Sequence, residues 1–186
     1  VGLGNPGSNY TNNRHNIGFK MIDAINLHFK LSKQKPKFKG LLTTGNIESK
    51  KIYAIKPLTF MNNSGTAIKE LIDYFKIDAK DVFVFHDDMD IDFGKIKVKF
   101  GGSSAGHNGI DSIDKFIGKD YSRVRVGIGH PKEKKKVNNH VLEDFKEDEE
   151  EKIKDIADNI VKMIPTLIDK KIDLFSSTVN QNLNGI

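Results

Sequence analysis

Val82-Phe-Val-Phe85 is an apolar run with no polar interruption. A strand with one wet face alternates polar and apolar residues, so an unbroken run has to be covered on both faces. The chain must therefore supply helices to two sides of a sheet, and its order of signals does so. Ile17, Met21, Ala24, Ile25, His28 and Phe29 recur at helical spacing and predict a first helix, with Asn13 or Asn16 as its cap. Residues 41–48 and 51–56 read as two strands about a turn at Ser49-Lys50. A second helix carries Ile68, Leu71, Ile72 and Phe75, with Ser64 to cap it. Residues 95–100 alternate strictly, placing Lys95, Lys97 and Lys99 on one face and Ile96, Val98 and Phe100 on the other. A short helix with Ile110, Ile113, Phe116 and Ile117 precedes an alternating strand over 122–129, on which Arg123 and Arg125 share a face. From Asp148 a long amphipathic helix carries Ile153, Ile156, Ile160, Ile164 and Leu167, and Pro165 is expected to kink or split it. Residues 30–39 read as a solvated basic connection, and 179–186 as a polar, frayed end. The expected fold is α/β: one domain over residues 1–186, with a mixed, largely parallel twisted sheet and helices on both faces.

In such sheets the site lies beyond the carboxyl ends of the strands. Polar loops follow three strand-like runs, at residues 4–15, 57–63 and 86–90, and a fourth at 101–109 is expected to join them. Gly2, just before the first loop, and Gly4 and Gly7 within it have the spacing of a dinucleotide-binding turn. That motif needs a helix opening at its last glycine, and Ser8-Asn-Tyr-Thr-Asn-Asn13 is a poor helix start. A nucleotide-cofactor enzyme is thus a weaker alternative.

The chain has 186 residues and no Cys, which excludes disulfides and thiol catalysis and permits a cytosolic address. No apolar run approaches the roughly 20 residues a spanning helix needs. Val1 opens in what reads as mid-strand without a Met, so leading residues are expected before it. Net charge is +5 and unevenly placed: residues 1–142 hold 24 Lys and Arg against 14 acids, residues 143–186 only 6 against 11. A basic body with an acidic end section suits a polyanionic partner on one face.

The loops supply His15, Asn5, Asn62, Asp87, His107 and Asn108. A histidine backed by a carboxylate is a general-base pair, and asparagine amides offer donors to a developing oxyanion. With no Cys and no Gly-x-Ser-x-Gly elbow, the set favours water attacking an acyl centre. Zinc held by His15, His86, His107 and nearby acids is the rival, without a compact ligand pair of the usual spacing. At least two of Asp87, Asp88 and Asp90 are expected to be solvated turn residues.

Four motifs stand in order: Gly4-Asn-Pro-Gly7 leading to Arg14-His-Asn16, Phe60-Met-Asn62 with Ser64-Gly65, His86-Asp-Asp-Met-Asp90, and Gly101-Gly with Gly106-His-Asn-Gly109. Arg125-Val-Gly-Ile-Gly-His-Pro131 follows. Together they closely resemble the bacterial peptidyl-tRNA hydrolases, over residues 1 to about 145. The resemblance implies hydrolysis of the ester joining a peptide to the 3′-terminal ribose of tRNA, with no metal and no cofactor. It makes His15 the base, Asp87 the group that keeps it basic, and Asn62 a residue positioning water and substrate. Asn108 and His107 become further substrate contacts, and Asn5 the position that separates N-blocked from free aminoacyl esters. Tyr10 and Phe60 line the site for the tRNA end, and Lys97, Lys99 and Arg125 are the basic residues around it. A cytoplasmic monomer acting on the acceptor end of peptidyl-tRNA follows, with neither a membrane nor an obligate protein partner. An RNA-binding module with merely structural loops is the competing class. The chain departs from the family at Ala105, where Gly is usual, and at residues 132–136 with Asn138-Asn139. Ala105 resists a positive φ.

Overall fold

The structure is a computed structural model and describes residues 1–131 and 137–185; the lysine-rich stretch 132–136 lies outside them. Among the described residues, six strands are arranged in two groups. β1 (Lys35–Lys37), β2 (Gly40–Ile47) and β3 (Lys50–Pro57) form an antiparallel meander, and β4 (Phe83–Asp88), β6 (Ser122–Gly127) and β5 (Ile96–Phe100) lie side by side in that order. The first residues join the groups: Gly2 N–H donates to Ile55 O (3.0 Å), and Leu3 N–H donates to Phe85 O (3.0 Å). β1 and β5 are therefore the outer strands of one mixed sheet.

The expectation of a largely parallel sheet does not hold. β1–β2, β2–β3 and β5–β6 pair antiparallel; among the described residues only β4–β6, with the isolated bridge Gly2–Phe85, runs parallel. The reason is connection length. Two-residue links at Phe38-Lys39 and Glu48-Ser49 can only turn the chain back; β4 reaches its parallel partner β6 through β5 and α3 (Asn108–Ile117), long enough to cross over, and β6 returns antiparallel to β5.

Neighbouring residues of the central strands sort to opposite sides. Phe85 and Ala54 pack with α1 (Ile17–His28), α5 (Glu147–Ile168) and α6 (Ile172–Asn184). Val84 and Ile55 pack with α2 (Ser64–Phe75) and α3. Both faces are covered, as the apolar run requires. Contact with α1 is close enough to dictate composition: a Cβ on Gly18 would stand 2.4 Å from Leu3 N and from Phe85 O.

Three segments differ from what their sequence pattern predicts. Part of the basic connection is β1, whose residues are all exposed. α5 runs through Pro165 unsplit, because the proline sits in its last turn, and the chain breaks after Ile168 instead. As far as Asn184 the end is helical and not frayed: Val179 is fully buried, and Asn180 bonds both backbone groups of Ile96 on β5 (2.9 and 2.7 Å). A short α4 (Val137–His140) precedes residues 141–145.

Candidate active site

The polar loops meet at the carboxyl ends of β3 and β4. His15 is not on α1 but in a 3-10 turn, Arg14–Asn16, just before it. Asn16, a candidate cap, makes no capping bond. Its amide engages Asn5 instead, accepting from Asn5 N (2.9 Å) and donating to Asn5 O (3.0 Å). Asn5 Oδ1 in turn accepts Met61 N–H (2.9 Å), which fastens the first loop to the second. Ser64 likewise caps nothing; it is the first residue of α2, and its hydroxyl donates to Met61 O (3.0 Å). The fourth loop, residues 101–109, closes over Met61, whose sulfur would lie 2.4 Å from a Cβ on Gly109.

Residues 141–145 form a clasp on the first loop that sequence reading missed. His15 N–H donates to Val141 O (2.8 Å), Arg14 N–H to Glu143 O (3.0 Å), and Phe145 N–H to Asn12 O (3.0 Å). Asn13 Nδ2 donates to Asp144 (2.7 Å), and buried Arg14 reaches Glu149 on α5 (2.9 Å) while lying over the Phe145 ring. No periodicity marks such pairing, because it joins irregular backbone over about 130 residues of sequence.

At the centre is Asp87, 2 % exposed. Its Oδ1 receives His15 Nδ1 at 2.7 Å and His107 Nε2 at 3.0 Å. Burial alone pushes its carboxyl up. The two imidazoles, by charge and by hydrogen bond, outweigh that and hold it well below the usual carboxylate range. The ring roles follow from the remaining contacts. His107 Nδ1 accepts two backbone N–H groups, from Gly109 (3.1 Å) and Ile110 (3.3 Å), as the N-cap of α3. Its proton therefore sits on Nε2 and points at Asp87. His15 gives its Nδ1 proton to the same oxygen, which leaves the Nε2 lone pair of His15 free. His86 is buried beside His107, ring centroids 4.8 Å apart, and its Nδ1–H donates to Asp87 O (2.7 Å). Burial, reinforced by His107, lowers its pKa to about 3.

The neighbouring acids divide differently from expectation. Asp90 is exposed, but Asp88 is a buried strand residue bonded to Arg125 Nε (2.7 Å), so only one of the three is a solvated turn residue. Arg123 is buried, tying Ser103 O (2.6 Å) to Asp114 (2.7 Å), and so holds the fourth loop in place. Lys97 lies opposite Arg125 across β5–β6 and is exposed, as is Lys99. Asn62 and Asn108 are exposed next to the Met61–Gly109 contact, and Tyr10 meets Phe60 edge-on at 6.3 Å. Ala105 does adopt a positive φ, of 50°.

His15, Asp87 and His107 bring their ligand atoms within 4.8 Å of one another. The His107 tautomer argues against a metal there, since an Nε2 carrying a proton has no lone pair to give. The glycine turn has a packing role instead of a cofactor role. A Cβ on Gly2 would strike Gly18 O at 2.2 Å, and the next α-helix opens at Ile17, ten residues past Gly7.

A model of the peptidyl-tRNA hydrolase family matches residues 1–185. The chain belongs to the peptidyl-tRNA hydrolase family. A relative named peptidyl-tRNA hydrolase from Pelagibacter ubique is 72% identical over 180 residues, covering 97% of each chain. One from Bartonella quintana is 47% identical, covering 97% of this chain and 94% of its own. The crystal structure of peptidyl-tRNA hydrolase from Acinetobacter baumannii superposes with a TM-score of 0.90 at 34% identity, over 97% of this chain and 92% of that one. By this membership the chain is a hydrolase. No helix among the described residues is long and apolar enough to cross a membrane.

Proposed function

We propose that this hydrolase cleaves the ester between a peptide and the 3′-terminal ribose of peptidyl-tRNA, by water that His15 activates without a metal. The observation that carries the reading is the 2.7 Å bond from His15 Nδ1 to a buried, ionised Asp87. It leaves His15 Nε2 as the free base. That nitrogen takes a proton from water as oxygen attacks the ester carbonyl carbon. The tetrahedral intermediate expels the ribose oxygen, which takes the proton from the His15 imidazolium, and the peptide leaves as a carboxylic acid that gives its remaining proton to solvent. Asp87 fixes the ring and stabilises the imidazolium. Amide donors of Asn62 and Asn108 serve the water and the carbonyl oxygen. His107 is a positioning residue in this reading, with both ring nitrogens occupied, and Tyr10 and Phe60 receive the tRNA end. Lys97, Lys99 and Arg125 take phosphates. Residues 1–186 act as one domain, monomeric and cytoplasmic.

Hydrolysis of N-acetylated aminoacyl-tRNA with chelator present tests the proposal. Full activity is expected. His15→Ala and Asp87→Asn are each expected to lower turnover by about 10²–10⁴ while uncharged tRNA still binds. Loss on metal removal with recovery on zinc addition, or a His15→Ala rate within tenfold of the parent, overturns it.

A further inference from the structure

We propose that β1, the outer strand farthest from Lys97 and Lys99, carries a second row of phosphate-binding residues, Lys35 and Lys37. This second row presupposes tRNA as the substrate and extends its footprint to the other edge of the sheet. Strand register fixes the direction of both rows. Lys35 lies opposite Leu42, which packs on the α2 and α3 side of the sheet, so Lys35 and Lys37 project to that side. Arg125 lies opposite Lys97 on one flank and His86 on the other, and His86 shares its face with Val84, again the α2 and α3 side. The two outer strands thus carry their lysines on the same side of the sheet, the side of α2 and α3.

The two rows also share an electrostatic state. Among the described residues Lys35, Lys37, Lys97 and Lys99 have no acid within ion-pair reach, whereas Lys39, next along the chain after Phe38, is tied to Glu70 at 2.6 Å. Lys37 is also pre-ordered. Its ammonium stands 4.1 Å from the Tyr74 ring centre and 4.7 Å from that of Phe38, so its chain is directed before any phosphate arrives. β1 runs toward the catalytic end, since Lys37 pairs with Gly40 and Gly40 with Pro57, where the second loop begins. Six strand spacings of about 4.8 Å put the rows roughly 29 Å apart along the sheet. Only a long polyanion reaches both, and a folded tRNA is one where a short stem is not.

The test is binding of uncharged full-length tRNA by Lys35→Gln/Lys37→Gln at several salt concentrations, beside a short hairpin with the same 3′ end. For tRNA, affinity is expected to fall several-fold, and the log–log salt slope to flatten by about 0.7 to 0.9 for each phosphate no longer neutralised. Hairpin binding is expected to stay unchanged, and the thermal midpoint to fall only by the few degrees that loss of the Lys37 ring contacts would give. Parental affinity and slope for tRNA overturn the second row; if Lys97→Gln/Lys99→Gln then weakens binding, the substrate reading survives alone. Equal weakening on tRNA and hairpin also overturns it, because the lysines would then act at the 3′ end. A parent protein that binds neither RNA sinks the substrate reading and the row with it.

Discussion

At the residue scale, the bonds within the site decide which polar groups are taken and which stay open. Asn5 is the clearest case. Its backbone is held from both sides by Asn16, and its Oδ1 is used by Met61 N–H, so among the described residues only its amide NH2 has no partner. An amide donor suits the carbonyl of an N-acyl group and offers nothing to a cationic free α-amine. Asn5→Asp replaces that donor with a carboxylate oxygen, so hydrolysis of free aminoacyl-tRNA is expected to rise relative to the N-acetylated form. An unchanged ratio of the two kcat/KM values would make Asn5 a loop fastener only. His86 bears on stability instead. It stays neutral in the fold down to about pH 3, because burial, then His107, disfavours its charge. An unfolded histidine protonates near 6.5, so the unfolded state binds more protons below that value. The stability His86 contributes is therefore complete above about pH 6.5 and is lost as pH falls toward 3, at up to roughly 1.4 kcal/mol per unit. His86→Asn should flatten the urea midpoint between pH 6.5 and 4; a slope as steep as the parent's would assign the effect to other groups. Asp87, held low, adds its own loss only below about pH 4, where unfolded carboxyls protonate.

At the scale of elements, legibility follows locality. α1, α2, α3 and the β2–β3 hairpin are readable because their apolar residues recur at one period within one segment. His15 and Asn5 lie in a loop, as their segment suggests, whereas Asp87, expected in a loop after a strand, is a residue of β4 near its carboxyl end. What stays hidden depends on distant partners. Asn16 looks like a cap until Asn5, eleven residues away, is beside it. Asp88 reads as a turn residue until Arg125 arrives from β6. The C-terminal segment reads as frayed because its polar residues are those a free end would show, yet Asn180 closes the outer edge of β5. It mimics a neighbouring strand by accepting Ile96 N–H and donating to Ile96 O. Asn180→Ala leaves both groups without partners and is expected to cost about 1–3 kcal/mol, read from urea denaturation. A change under about half a kcal/mol would mean that water replaces the amide freely.

At the scale of the molecule, charge is segregated by the sheet. The acidic first turn of α5, Glu147, Asp148, Glu149 and Glu150, belongs to the helix that covers the α1 side, and there it complements the helix dipole. Lys97, Lys99 and Arg125 project to the opposite side, next to the catalytic loops. A polyanion is thus drawn to one side and repelled from the other, at a range set by salt. Replacing Lys97, Lys99 and Arg125 together with Gln should weaken tRNA and short hairpin alike, because this row adjoins the site. Each phosphate left without its cation should flatten the log–log salt slope by about 0.7 to 0.9. Turnover at saturating substrate should change far less than KM, since none of the three touches His15 or Asp87 in the structure. Arg125 also neutralises buried Asp88, so the double variant Lys97→Gln/Lys99→Gln separates the two effects. If the double variant flattens the slope and the triple adds only a fall in thermal midpoint, Arg125 is a partner of Asp88 and not of phosphate. If both keep the parent slope and affinity, this side of the sheet is not where RNA lies, and the charge segregation reflects helix capping on α5 alone.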